Sequence, residues 1–162
     1  MGTKTTISVI LLITGLIAFG FITEYSTGEV RMQEGIKAPN IKSNHWFNSD
    51  SLELDKLRGK IVLIDFWDYT NINSIRMLPY LQTWHNRYAD SGLVIIGIHA
   101  PEFEFAKRPQ NVETALIDFG IEYPVALDND YEIWNAYENE FIPHKYLVNT
   151  DGSIIDEQVG EG

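Results

Sequence analysis

Apolar positions fall in blocks along this chain, and each block has its own period. The first block, TTISVILLITGLIAFGFIT (residues 5–23), has no charge between Lys4 and Glu24. About 19 helical residues at 1.5 Å each reach roughly 28 Å, close to the hydrocarbon thickness of a bilayer. No polar face interrupts it, which argues against a core helix. Residues 1–24 are therefore expected to be an uncleaved membrane anchor. Lys4 and the terminal amine precede the run, and Glu24 and Glu29 follow it. That asymmetry puts the N-terminus in the cytoplasm and the rest of the chain on the extracytoplasmic side of the cell membrane. A cleaved signal peptide is the alternative, with Ser26-Thr27-Gly28 a poor cleavage site. Residues 25–36 are polar and read as a linker, so the folded domain is expected over residues 37–162.

Within the domain the period changes repeatedly. KIVLIDFW (residues 60–67) is a continuous apolar run broken only by Asp65, the mark of a strand buried on both faces. Residues 72–90 place Ile75, Leu78, Leu81, Trp84 and Tyr88 at helical spacing, with Pro79 inside as a kink. LVIIGIH (residues 93–99) predicts a second buried strand. Helices are expected at 109–120 and 130–138, and strands at 123–127 and 145–148. Asp151-Gly152 turns the chain into a last strand, 153–159. Strands alternating with helices before a terminal hairpin indicate a mixed α/β sheet.

Composition narrows the chemistry. The formal charge is −11, and no basic stripe suits a nucleic-acid surface, so no nucleic-acid partner is expected. The chain has no cysteine, which excludes disulfides, thiolate metal sites and a thiol nucleophile of its own. His45, His85, His99 and His144 have no zinc-ligand spacing. Asp128, Asp130 and Glu132 imitate the start of a calcium loop, but Ile133 and Asn139 stand where that loop needs Gly and Glu. Helix capping explains the cluster better. No phosphate-binding loop is present. Neither a cofactor nor a metal is expected.

Several spaced motifs carry a resemblance. Ala38-Pro39 opens the domain, and Leu57-Arg58-Gly59-Lys60 leads into the strand ending Asp65-Phe66-Trp67. Ile72-Asn73 is followed by Pro79, and Ile142-Pro143 comes late in the chain. Over roughly residues 36–162 the chain resembles membrane-anchored, extracytoplasmic thiol–disulfide oxidoreductases of the TlpA/redoxin type. That resemblance implies a thioredoxin-like α/β fold, a central mixed sheet flanked by helices, with a redoxin-type insert. Ile72-Asn73 then matches the two residues between the family's redox cysteines, and Pro143 its cis-proline. Asp65 matches a buried acid that relays protons. Gly160-Glu161-Gly162 falls where the family's last helix should begin, so the domain is expected to lack that helix, with a truncated sequence preferred over cover by a partner or weak stability. If the chain is a fragment lacking that helix, strands 60–67 and 93–99 would expose an apolar face.

The resemblance breaks at the centre. Asn71 and Ser74 occupy the cysteine positions. An amide cannot serve as the thiolate nucleophile, and an unassisted serine hydroxyl cannot resolve a mixed disulfide. One reading is an ordinary helix end, with Asn71 as N-cap bonded to the Ser74 backbone N–H. The other is peptide binding without turnover, in a groove lined by Trp67, Tyr69, Asn71, Ser74, Ile142, Pro143 and His144, with Phe141 beside them. An extracytoplasmic protein or peptide client would be the partner. Oxidoreductase chemistry with a partner's thiol, a degenerate fragment, and deliberate replacement of cysteines are further alternatives. His144 is expected to face this groove, although no nucleophile elbow supports a Ser–His–Asp triad. Asp65 is expected to be protonated, or paired with Lys60 or a water.

Overall fold

A computed structural model describes residues 35–161, so the apolar run at 5–23, predicted as an anchor, lies outside the described residues. Among the described residues no helix is long and apolar enough to cross a membrane. Among the described residues six strands form one sheet: β1 (Trp46–Phe47), β2 (Ile61–Trp67), β3 (Leu93–His99), β4 (Val125–Leu127), β5 (His144–Val148) and β6 (Ile154–Val159). Their spatial order is β1-β4-β3-β2-β5-β6. β2, β3 and β4 run parallel, and β1, β5 and β6 pair antiparallel to their neighbours. Three α-helices join them: α1 (Ile72–Tyr88), α2 (Pro109–Phe119) and α3 (Glu132–Ala136). This is the mixed α/β architecture that the alternating pattern predicts. β1 is the element the pattern missed.

The central strands are apolar without alternation because both faces are covered. On one face Leu63, Trp67, Ile95 and Val125 pack under α1 and α2, against Leu78, Leu81, Val112 and Leu116. On the other, Ile64, Phe66, Ile98 and Tyr146 pack with Ala38, Ile41, Leu54 and Ile133. The expected large exposed face on β2 and β3 is not found. Ile64, Phe66, Ile95, Ile96 and Ile98 are fully buried. What remains open is a hollow of about 300 Å³ lined by Leu63, Trp84, Tyr88, Leu93 and Leu147.

α1 begins where β2 hands the chain over through a short loop, residues 68–71. Asn71 is its N-cap, and Pro79, with no N–H to give, leaves the Ile75 carbonyl without its helical donor. α2 ends at Gly120, whose left-handed φ of +67° suits glycine.

Candidate functional site

The site lies at the end of the sheet where β2 delivers the chain to α1. Asn71 caps α1 as its residue type predicts. Its Oδ1 accepts the backbone N–H of Asn73 at 3.0 Å and of Ser74 at 3.2 Å. Its Nδ2 donates to Glu102 Oε2 at 3.0 Å. Both ends of the Asn71 amide are thus engaged, one by the helix and one by the segment after β3. Ser74 is buried, and its Oγ accepts the Asp68 N–H at 3.5 Å.

Beneath the helix start is a polar knot that the motifs gave no cause to single out. Asp68 is fully buried, and four donors converge on its carboxylate. Thr70 supplies its N–H and its hydroxyl, Glu102 its N–H at 2.8 Å, and His99 its Nε2 at 3.2 Å. Burial pushes the Asp68 carboxyl up, but the His99, Glu102 and Thr70 hydrogen bonds outweigh it and hold the group below the ordinary carboxylate range. With Asp68 ionised, the hydrogen between them sits on His99 Nε2. The His99 ring is held by Tyr69, stacked at 5.4 Å, and by the Trp67 edge at 5.6 Å. The D-x-T spacing at 68–70 was a legible turn signal. The contribution of His99, from another strand, was not.

Asp65 lies on the α1 side of β2, with Leu63 and Trp67. It is buried, as expected, but its neighbour is not Lys60, which is exposed at the start of the strand. The antiparallel register sets Lys145 directly opposite. Burial pushes Asp65 up to about 7, against the opposing pull of Lys145. Asp65 Oδ1, Trp67 Nε1 and Tyr123 Oη are buried and make no hydrogen bond to the protein, and the Trp67 and Tyr123 rings both pack close beside Gly97.

The predicted groove residues separate into two groups. The Ile142–Pro143 bond is cis, and stepping the Phe66–His144 register by one sets Pro143 across from Trp67. Pro143 and the start of α1 therefore share one end of the sheet. Asn71, Tyr69 and Ile142 are half-buried there. Trp67, Ser74 and Pro143 are buried and present no surface to a client. His144 does not face α1. It pairs with Phe66 and points with it to the opposite face, where its Nδ1 lies 3.1 Å from the Tyr146 hydroxyl. The reason is the two-residue period of a strand, which sends Lys145 to the Asp65 side and His144 away from it. A Ser74–His144–Asp65 triad is ruled out by this placement. The sequence reading overlooked exposed apolar neighbours of the site: Ile72 on the first turn of α1 and Phe103 beside Glu102. Phe141, already expected at the groove, is exposed too.

The model of the AhpC/TSA family matches residues 35–157. The chain belongs to that family. Among curated proteins, the family member shares 40% identity over 145 residues with Protein DipZ of Mycobacterium bovis, covering 87% of this chain and 21% of DipZ. It therefore spans about a fifth of the length of the DipZ proteins it matches. It shares 26% identity over 153 residues with the thiol-disulfide oxidoreductase ResA of Bacillus anthracis, covering 94% of this chain and 85% of ResA. Among solved structures, the thioredoxin-like superfamily protein SPOA0173 superposes with a TM-score of 0.73 at 24% identity, over 78% of this chain and 88% of that one. The thioredoxin-like fold expected from the resemblance is thereby established. So is the family's relation to thiol–disulfide oxidoreductases, in a chain that has no cysteine.

Proposed function

We propose that this family member is a membrane-anchored thioredoxin-fold protein, its domain extracytoplasmic, that holds extended protein or peptide segments at the start of α1 without dithiol chemistry. One observation carries the reading. Asn71 spends its acceptor on the Asn73 and Ser74 N–H groups, so the helix end that would stabilise a thiolate is closed by a neutral amide. Ile72, Asn71, Ile142, Phe103 and Phe141 are the surface offered to a client. Exposed apolar side chains grouped at one end of a sheet favour contact with another chain. The uncharged run at 5–23 supports the anchor, and the acidic residues after it support the orientation.

The name of ResA keeps a second reading open, oxidoreductase turnover that borrows a thiol from another polypeptide. Insulin reduction with dithiothreitol separates the two. The proposed reading expects no acceleration over the uncatalysed rate, and acceleration overturns it. Binding is tested with a photoreactive benzoylphenylalanine in place of Ile72, offered reduced, carboxymethylated α-lactalbumin. Crosslinking is expected there and not from Ile117, which is more exposed but lies on α2. Equal crosslinking from both positions overturns the site.

A further inference from the structure

A wide groove lies on the opposite face from α1, along β6. It encloses about 720 Å³. β6 ends the sheet. Its outer edge is paired only at its beginning, where Lys37 bridges Ser153 and the Ile154 N–H donates to the Ile36 carbonyl. Beyond Ile154, no backbone bond leaves that edge among the described residues. An exposed strand edge of this kind is a template for a further strand.

The side chains around the edge are of two kinds. Ile36, Phe141, Ile155 and Val159 are apolar, and each is more than half exposed. Glu138, Glu140, Asp156 and Glu157 supply four carboxylates, and no Lys or Arg lines the groove. His144 lies at its floor, 6% exposed. Its Nε2 has no hydrogen-bond partner and stands 3.8 Å from Glu157 Oε2. A buried ring nitrogen without a partner costs free energy, which a peptide N–H or C=O seated beside Glu157 relieves according to the ring's tautomer.

We propose that this groove binds an extended segment of a partner protein whose apolar residues alternate with Lys or Arg, added as a strand to the edge of β6 that is open among the described residues. Main-chain bonds to the edge supply affinity, and alternate side chains supply selectivity. Apolar residues of the segment cover Ile155, Val159 and Phe141. Its cations meet the Glu138, Glu140, Asp156 and Glu157 carboxylates. The site rests on β6 and shares only Phe141 with the surface offered to a client at α1, and the charge-reversed positions below lie outside that surface.

The test uses the full chain in a neutral detergent at physiological ionic strength, where distant charges are screened. The probes are fluorescein-labelled hexapeptides read by anisotropy: alternating Lys-Val, its block isomer Lys-Lys-Lys-Val-Val-Val, and alternating Glu-Val. The alternating basic peptide is expected to bind about tenfold more tightly than either other probe. Asp156→Lys with Glu157→Lys is expected to weaken it by about tenfold. Glu113→Lys with Asp118→Lys, an equal charge change on exposed α2 positions, is expected to leave it within about twofold. No binding by the alternating peptide, equal binding of the block isomer, or equal loss in both charge-reversed variants overturns the site.

Discussion

Asp65 and Lys145 stand directly opposite each other on β2 and β5, both buried. Lys145 Nζ reaches the Gly160 carbonyl at 3.3 Å, while Asp65 Oδ1 makes no hydrogen bond. Desolvation moves both groups toward their neutral forms, and each partly restrains the other. The folded protein therefore holds a proton on Asp65 over a range in which the unfolded chain has lost it. The range runs from the ordinary 3.8 to about 7. Where the folded state binds more protons, stability falls as pH rises. Asp65 should thus cost stability across this window, at most on the order of 4 kcal/mol at about 1.4 kcal/mol per unit. Urea titrations between the two limits check it. Asp65→Asn is expected to flatten the decline, and an unchanged slope would show that another group titrates.

The Asn71 cap has the opposite character, because it is local and independent of pH. Asn71→Ala removes the acceptor for two helix N–H groups and the donor to Glu102. The expected loss is about 1 kcal/mol in urea denaturation. Asn71→Asp keeps the acceptor but sets a second carboxylate against Glu102. It is expected to hold the helix while weakening the link to the segment after β3. Faster amide exchange at Phe103 than in the parent, with exchange in α1 unchanged, is the signature. Faster exchange in α1 as well would contradict this division of roles.

Asp68 ties its own loop to the end of β3 and the residues just after it by its carboxylate alone. Asp68→Ala strands the buried His99 Nε2 and the Glu102 N–H at once, and the expected cost is on the order of 3 kcal/mol. Its lowered pKa gives the reverse pH sign from Asp65. The stability it contributes is complete above the ordinary carboxylate pKa of 3.8 and is lost as pH falls through its lower folded value. Acid unfolding of the parent should be steeper below pH 3.8 than that of Asp68→Asn. Parallel acid limbs would remove Asp68 from the account.

Much of this was legible in the sequence because the strands are buried on both faces. KIVLIDFW and LVIIGIH could hardly be anything else once the helix between them was read. The Asn71 cap was legible for the same local reason, a good capping residue before a periodic run. β1 was not, since Trp46-Phe47 is too short to show a period. The two errors at the site share a cause. Which face His144 takes, and which lysine meets Asp65, depend on cross-strand register, and register is not written in either strand alone. His99 was invisible as a partner of Asp68 for a related reason: parallel pairing of β2 with β3 brings it there across 31 positions.

Gly97 records that same pairing in its lack of a side chain. It lies opposite Asp65 in the middle of β3, at a negative φ, so no turn requires glycine there. A Cβ at this position would stand 3.0 Å from Trp67 Nε1 and 3.1 Å from Val125 Cγ2. Both neighbours are buried and fixed by packing, and neither is the free end of a flexible chain. Gly97→Ala is therefore expected to destabilise by about 1–3 kcal/mol through overpacking, despite the better strand propensity of alanine. The Trp67 indole must shift to admit the methyl. A changed near-ultraviolet circular dichroism band should accompany the loss, with the far-ultraviolet spectrum preserved. Gly97→Ala of parent stability, with an unaltered aromatic band, would mean that the indole does not pack against Gly97 beneath the helices as described.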